Sequence, residues 1–178
     1  MKVIAVSGHA GSGKDTVGRM LETKLEADGA SVQIMHYADL LKYICKSFFG
    51  WNGEKDEAGR TLIQYVGTDV VRKNNPDYWV NFIADMLDFF GESWDYVVIP
   101  DTRFPNEIDH LIERGFDTVH VRVERPCFES SLTDEQKSHE SETALDETIP
   151  NYYITNDGDI NDLYTKVSKL VTEELYGN

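Results

Sequence analysis

The chain predicts an α/β protein: a doubly wound, mostly parallel sheet of about five strands. Three observations predict it. Short apolar runs alternate with helical patterns through all 178 residues. One run, Tyr96-Val97-Val98-Ile99, is continuous and β-branched, as strands buried on both faces are. A glycine-rich segment follows the first run and opens a helix, at the sheet edge where such folds take ligands.

Each element follows from its pattern. Lys2–Ser7 reads as the first strand, ending in Gly8-His9-Ala10-Gly11-Ser12-Gly13. A helix from about Lys14 to Asp28 places Val17, Met20, Leu21 and Leu25 on one face, and Gly29 stops it. Ser31–Tyr37 reads as the second strand. Leu40, Leu41, Ile44, Cys45, Phe48 and Phe49 mark a helix ending at Gly50, before a polar loop over Trp51–Glu57. Leu62/Ile63/Val66/Val70 and Trp79/Phe82/Ile83/Met86/Leu87 give two more helices, parted by Asn74-Asn75-Pro76. After the third strand, Ile108, Leu111 and Ile112 mark a helix closed by Gly115, and Thr118–Val123 returns as a strand. Arg125–Thr148 is polar and weakly patterned. Tyr152–Thr155 is the last strand, and Ile160, Leu163, Val167, Leu170 and Val171 define the last helix.

Composition narrows the function classes. A hydrophobic share of 40% against 28% charged residues excludes a disordered chain. No apolar run approaches the ~20 residues that span a bilayer. Met1-Lys2-Val3-Ile4 leads straight into a strand without a signal peptide, so a cytoplasmic protein with no membrane partner is expected. Cys45 and Cys127 are the only cysteines, which argues against a disulfide framework or a cysteine metal site. The net charge of −15 opposes a nucleic-acid partner. That charge is uneven: residues 1–60 are neutral overall, with eight basic and eight acidic groups, whereas residues 129–178 carry −9. The neutral N-terminal third can accept an anion.

Gly8-His9-Ala10-Gly11-Ser12-Gly13-Lys14 fits G-x-x-x-x-G-K between a strand and a helix, the signature of a phosphate-binding loop. Glycines let successive backbone N–H groups point at phosphate oxygens, the helix dipole favours an anion, and Lys14 adds a mobile positive charge. Asp15 stands where a metal-ligating hydroxyl usually follows the lysine, with Thr16 next. This Lys-x-Thr form resembles the loop of nucleoside monophosphate kinases. There Thr16 would meet the α-phosphate, and Mg²⁺ would be held through water, with Asp15 and Asp101 as the carboxylates in reach. A guanine-binding Asn-Lys-x-Asp motif is absent: Thr155-Asn156-Asp157 lacks the lysine.

The second constellation, Pro100-Asp101-Thr102-Arg103-Phe104-Pro105-Asn106-Glu107, follows the third strand. A carboxylate at a strand tip can hold a metal or an attacking oxygen, and Arg103 can grip a phosphate with its fork. The loop and the Asp101-x-Arg103-Phe104-Pro105-Asn106-Glu107 block together resemble the deoxynucleoside monophosphate kinases of bacteriophages. Ala38-Asp39-Leu40-Leu41-Lys42, the stretch Gln64–Arg72 with Trp79, and Ser141-Glu142 before Ile154-Thr155-Asn156 agree. The resemblance runs nearly end to end, and the Asp101–Glu107 block is its most specific part.

The resemblance implies a P-loop kinase fold with a helical substrate-binding insertion and a lid. It also implies ATP- and Mg²⁺-dependent phosphorylation of deoxynucleoside 5′-monophosphates. A single domain is expected, with its core at 1–37, 92–124 and 150–178, the insertion at about 38–91 and the lid at about 125–148. Small-molecule nucleotides are the expected partners, and a homodimer is left open. Arg60, Gln64, Thr68 and Arg72 recur every four residues and form a helical stripe suited to an anionic, hydrogen-bonding nucleotide. Trp79 is placed to stack on a base or to pack in the core. Asp39 and Lys42 fall at the pocket mouth, and Glu107 joins Arg103 as a substrate contact. Arg122 and Arg125 flank the fourth strand's end, and Arg125 is the chosen lid arginine for charge neutralisation. His139 and His9 read as plain histidines. Asn156 falls where related kinases hold the adenine edge. Another small-molecule kinase, of the dephospho-coenzyme A or phosphomevalonate type, remains an alternative, as does a nucleotide-binding protein without transfer activity. A polynucleotide end-kinase is disfavoured by the charge.

Overall fold

The computed structural model describes residues 1–126 and 128–175, so Cys127 lies outside the described residues. Five strands form one sheet in the order β2-β3-β1-β4-β5. They are β1 (Lys2–Ser7), β2 (Val32–Ile34), β3 (Tyr96–Thr102), β4 (Asp117–Glu124) and β5 (Tyr152–Thr155). All four pairings are parallel. The central strand β1 is buried on both faces, with Val3, Ile4, Ala5 and Val6 fully inaccessible. That is why its sequence is an apolar run rather than an alternation.

Successive β1 side chains feed opposite layers. Ile4 and Val6 face α1 (Lys14–Ala27) and α8 (Ile160–Leu170), where they pack with Val17, Leu21, Leu25, Leu163 and Val167. Val3, with Val97 and Ile99, faces the other layer, which includes α2 (Ala38–Phe48) and α4 (Tyr78–Phe90). Its core holds Leu41, Cys45, Trp51, Val66, Trp79 and Ile83. Between α2 and α4, α3 (Glu57–Gln64) runs directly into a π-helical stretch, Tyr65–Arg72. The helix α5 (Asn106–Glu113) follows β3, while α6 (Asp134–Ser138) and α7 (Glu140–Thr143) are short helices between β4 and β5.

Three sequence expectations need adjusting. The second strand covers only Val32–Ile34, because the backbone turns at Tyr37 and Ala38 to give its N–H groups to Asp101. The polar stretch after Gly50 has a buried anchor, Trp51, whose indole N–H donates to the Glu54 carbonyl at 2.8 Å. The weakly patterned segment before β5 contains two helices. Their apolar content is low, and the first is fixed by a capping box in which Thr133 and Gln136 bond each other's backbone N–H.

Candidate active site

The loop between β1 and α1 is shaped by its glycines at two points. Gly13 caps α1 at φ 100°, a left-handed conformation that side chains disfavour, and a Cβ there would meet Asn156 Nδ2 at 2.7 Å. Gly11 has φ 83°, and a Cβ there would run into the Phe128 ring. The loop is thus packed tightly from outside, by Phe128 and by Asn156, whose amide donates to the Ser12 carbonyl at 2.9 Å. No side chain caps α1, so its first N–H groups are free of a side-chain acceptor, as an anion-binding helix start requires. Ser12 Oγ is buried there without a hydrogen-bond partner among the described residues.

Lys14 is 7% exposed, and its ammonium donates to the His9 carbonyl at 3.3 Å. Burial, then the neighbouring Arg103 charge, lowers its pKa to about 8; Glu142, Asp15 and Asp101 oppose the fall. Such a lysine is a poorly compensated cation that gains from an incoming anion.

At the tip of β3, Asp101 accepts the Tyr37 N–H on one oxygen and the Ala38 N–H on the other, each at 3.0 Å. It therefore fastens the start of α2 to the sheet. Two residues on, the Arg103 guanidinium reaches α7, donating to the Ser141 carbonyl at 2.9 Å and to the Glu142 carboxylate. The other Glu142 oxygen accepts the Ala10 N–H of the glycine-rich loop at 2.9 Å. Arg103, the loop and Lys14 thus meet around one carboxylate.

Glu107 makes a second cluster. Its side chain is 2% exposed and ion-pairs with Arg72, while its other oxygen accepts the N–H groups of Arg103 (2.6 Å) and Phe104 (3.2 Å). Burial pushes the Glu107 pKa up to about 7, against the pull of Arg72 and these N–H groups. Arg72 lies over the Phe104 ring at 3.9 Å and donates to Asn106 at 3.1 Å. Tyr37, buried, donates its hydroxyl to the Glu107 carbonyl at 2.7 Å.

The remaining candidates scatter. In the Arg60/Gln64/Thr68/Arg72 stripe, Arg60 turns to the Lys55 carbonyl, Gln64 reaches the Gln136 carbonyl at 3.5 Å, and Thr68 is buried. Their spacing did not fix a shared partner: Tyr65–Arg72 winds as a π-helix, and Arg72 turns to Asn106 and Glu107. Trp79 is in the core, 3% exposed, with its N–H on the Gly67 carbonyl, so its ring is not available to stack on a base. Lys42 pairs with Asp39 at 2.9 Å on the exposed side of α2. Asp15 and Thr16 are exposed on the first turn of α1. Arg125 is exposed, touches the Gly11 carbonyl at 3.4 Å and lies over Phe128. Arg122 is buried instead and holds the Leu145 carbonyl and Asp146.

Sequence reasoning missed Glu142 as a site residue, along with Phe128 and Gln136. Gln136 had a local signal in the Thr133-x-x-Gln136 cap, and Glu142 stood in the Ser141-Glu142 block without a role assigned to it. Gln136 also donates to the Glu57 carbonyl and Thr61, both at 3.2 Å, which ties α6 to α3.

The model of one family, deoxynucleotide monophosphate kinase, matches residues 25–167. The chain belongs to that family. The match begins after the phosphate loop, so loop and family are two separate observations. The deoxynucleotide monophosphate kinase of Enterobacteria phage T4 is 37% identical over 119 residues, 65% of this chain and 46% of that protein. That of Escherichia phage RB69 is 33% identical over 114 residues, 63% and 44% respectively. The chain therefore spans about half the length of these curated relatives. Among solved structures, the dephospho-CoA kinase from Campylobacter jejuni superposes with a TM-score of 0.55 at 13% identity, covering 97% of this chain and 96% of that one. That likeness is one of fold. No helix among the described residues is long and apolar enough to cross a membrane.

Proposed function

We propose that the chain transfers a phosphoryl group from ATP to a deoxynucleoside 5′-monophosphate. One observation carries the reading: Lys14 and Arg103 converge at the carboxyl end of the parallel sheet, beside a glycine-rich loop whose Ala10 N–H already holds a carboxylate. Membership of the family supports the choice of acceptor.

In this reading the loop N–H groups and the start of α1 hold the donor's β- and γ-phosphates, and Lys14 neutralises them. Arg125, Phe128 and Asn156 pack the outer side of the loop, where the nucleoside end of the donor would lie. Arg103 grips the acceptor phosphate across the seat. No strong general base is needed, because a phosphate monoester has a second pKa of about 6 and is largely dianionic at neutral pH. Rate then comes from positioning and charge. Arg72 and Glu107 act on Arg103 through its backbone N–H.

Mg²⁺ would supply further charge neutralisation on the donor phosphates. The donor set fits a water-mediated ion: among the described residues no three His, Cys, Asp or Glu side chains cluster to hold a metal. Asp101 spends both oxygens on backbone N–H groups, so it and the exposed Asp15 would act through water.

A coupled assay of ADP formation across deoxy- and ribonucleoside monophosphates tests the reading. Turnover with at least one deoxynucleoside monophosphate is expected. Turnover with none of them, in a folded protein that binds ATP, would overturn it.

A further inference from the structure

We infer that Glu142 is an internal stand-in for phosphate. Its carboxylate fills the anion seat of the free protein and must leave when a phosphate group enters. The inference deepens the kinase reading and rests on its claim that the loop is an anion cradle.

Glu142 comes from α7, well over a hundred residues beyond the loop in sequence, yet its side chain is 6% exposed. It gains that burial by entering the seat: one oxygen takes the Ala10 N–H at 2.9 Å, and the other takes Arg103. Arg103 also holds the Ser141 carbonyl at 2.9 Å, so backbone and side chain of this short helix are clipped to the same guanidinium.

Charge explains why something must sit there. Arg103 disfavours the charge on Lys14, and the Glu142 carboxylate offsets this. Without an anion the seat would hold two cations in a desolvated place. The chain supplies one itself.

Exchange follows from the same contacts. The Ala10 N–H and the guanidinium edge that hold Glu142 are the groups a phosphate oxygen would use. A carboxylate and a phosphate in one seat would repel. Phosphate therefore binds only to the fraction of molecules with Glu142 withdrawn, and its apparent affinity drops by that fraction. Arg122 still holds the segment's end at the Leu145 carbonyl and Asp146, but withdrawal unclips α7 itself, leaving it tied to the insertion by weaker contacts. These are neutral amide bonds of 3.2–3.5 Å from Gln136 and Gln64, and a His139–Asp69 approach of 3.8 Å. Entry of the donor is thereby coupled to release of the segment that covers it.

The test is titration calorimetry with inorganic pyrophosphate, without metal, on the full chain and three variants. Glu142→Gln and Glu142→Ala should bind pyrophosphate at least tenfold more tightly. Glu140→Gln, which removes the same charge from an exposed neighbour, should stay within twofold of the parent chain. In the parent chain, pyrophosphate should speed amide hydrogen exchange across residues 139–144. Equal or weaker binding by folded Glu142 variants would overturn the inference while leaving the anion cradle intact, and so would unchanged exchange in the pyrophosphate-bound parent chain. If neither the parent chain nor any folded variant binds pyrophosphate, the cradle itself fails, and the inference with it.

Discussion

Two arginine–glutamate pairs lie side by side in this molecule and do different work. Arg72–Glu107 is sealed, with side chains 10% and 2% exposed, and Glu107 also caps the N–H groups of Arg103 and Phe104. Arg103–Glu142 is more open at 26% and 6%, and it joins β3's end to a helix of four residues. The first pair belongs to one packed layer, with Arg72 stacked on Phe104. The second is made from groups that a phosphate could replace. The same chemistry therefore serves as scaffold in one place and as an exchangeable contact in the other, and the surroundings decide which.

The largest effect should come from breaking the sealed pair. Arg72→Met strands a buried carboxylate, which costs about 3–5 kcal/mol of stability. The sign with pH follows from Glu107. Its pKa is raised by burial and restrained by Arg72, so losing Arg72 raises it further. A carboxyl group with a raised folded-state pKa stabilises the fold where it is protonated, and that contribution fades as pH rises through the folded-state value. The deficit should therefore be larger in urea melts at pH 8 than at pH 5. Arg103→Met, by contrast, should cost about 1 kcal/mol or less, since the released Glu142 carboxylate on its short helix can turn out to solvent. Equal losses would erase the distinction between the pairs.

Lys14 sharpens the comparison by failing through chemistry rather than folding. Lys14→Ala should lower turnover by about 10²-fold or more, because charge neutralisation dominates phosphoryl transfer. Its melting temperature should not fall, since burial already disfavours the lysine's charge. Near-normal turnover in the folded variant would remove the donor site from the loop.

Arg103→Lys comes next. A lysine keeps the charge but cannot address Ser141, Glu142 and an incoming phosphate from one planar group. A tenfold or larger loss in kcat is expected, with urea stability close to that of the parent chain. Retained activity would show that only the charge at this position matters.

The fold and half of the site were legible because they rest on local signals. An apolar run followed by glycines and a lysine specifies β1, the loop and α1 with little help from elsewhere. Asp101, Arg103 and Glu107 were legible as a block, but their jobs were not. That Asp101 fastens α2 depends on where Tyr37 and Ala38 turn, and that Glu107 holds Arg72 depends on a contact 35 residues apart. The stripe was read from spacing alone, which does not show that Arg60, Gln64 and Arg72 take separate partners in the fold. Glu142 stood in the Ser141-Glu142 block, but its role stayed hidden for a different reason. In a segment with −9 charge it reads as one more solvated acid, and only the fold brings it to Ala10.

The smallest effect is a shift in a pH profile, and it separates the two glutamates without damaging the fold. In the free protein Lys14 titrates near 8: burial and Arg103 lower it, while Glu142, Asp15 and Asp101 raise it. The ratio kcat/KM for ATP reports groups of the free enzyme. Raising the pH removes the proton from Lys14, and a neutral amine neither attracts nor neutralises phosphate. The ratio should therefore fall about twofold between pH 7 and pH 8 and about tenfold by pH 9, the titration curve of one group with a pKa of about 8. Removing the Glu142 charge takes away support for the protonated lysine, so Glu142→Gln should move the inflection to lower pH. Glu107 is not among the groups that shift Lys14, so Glu107→Gln should leave the inflection in place even if it lowers the ratio throughout. An inflection that moves equally in both variants would mean that the two clusters are one electrostatic unit, and the division between scaffold and exchangeable contact would not hold.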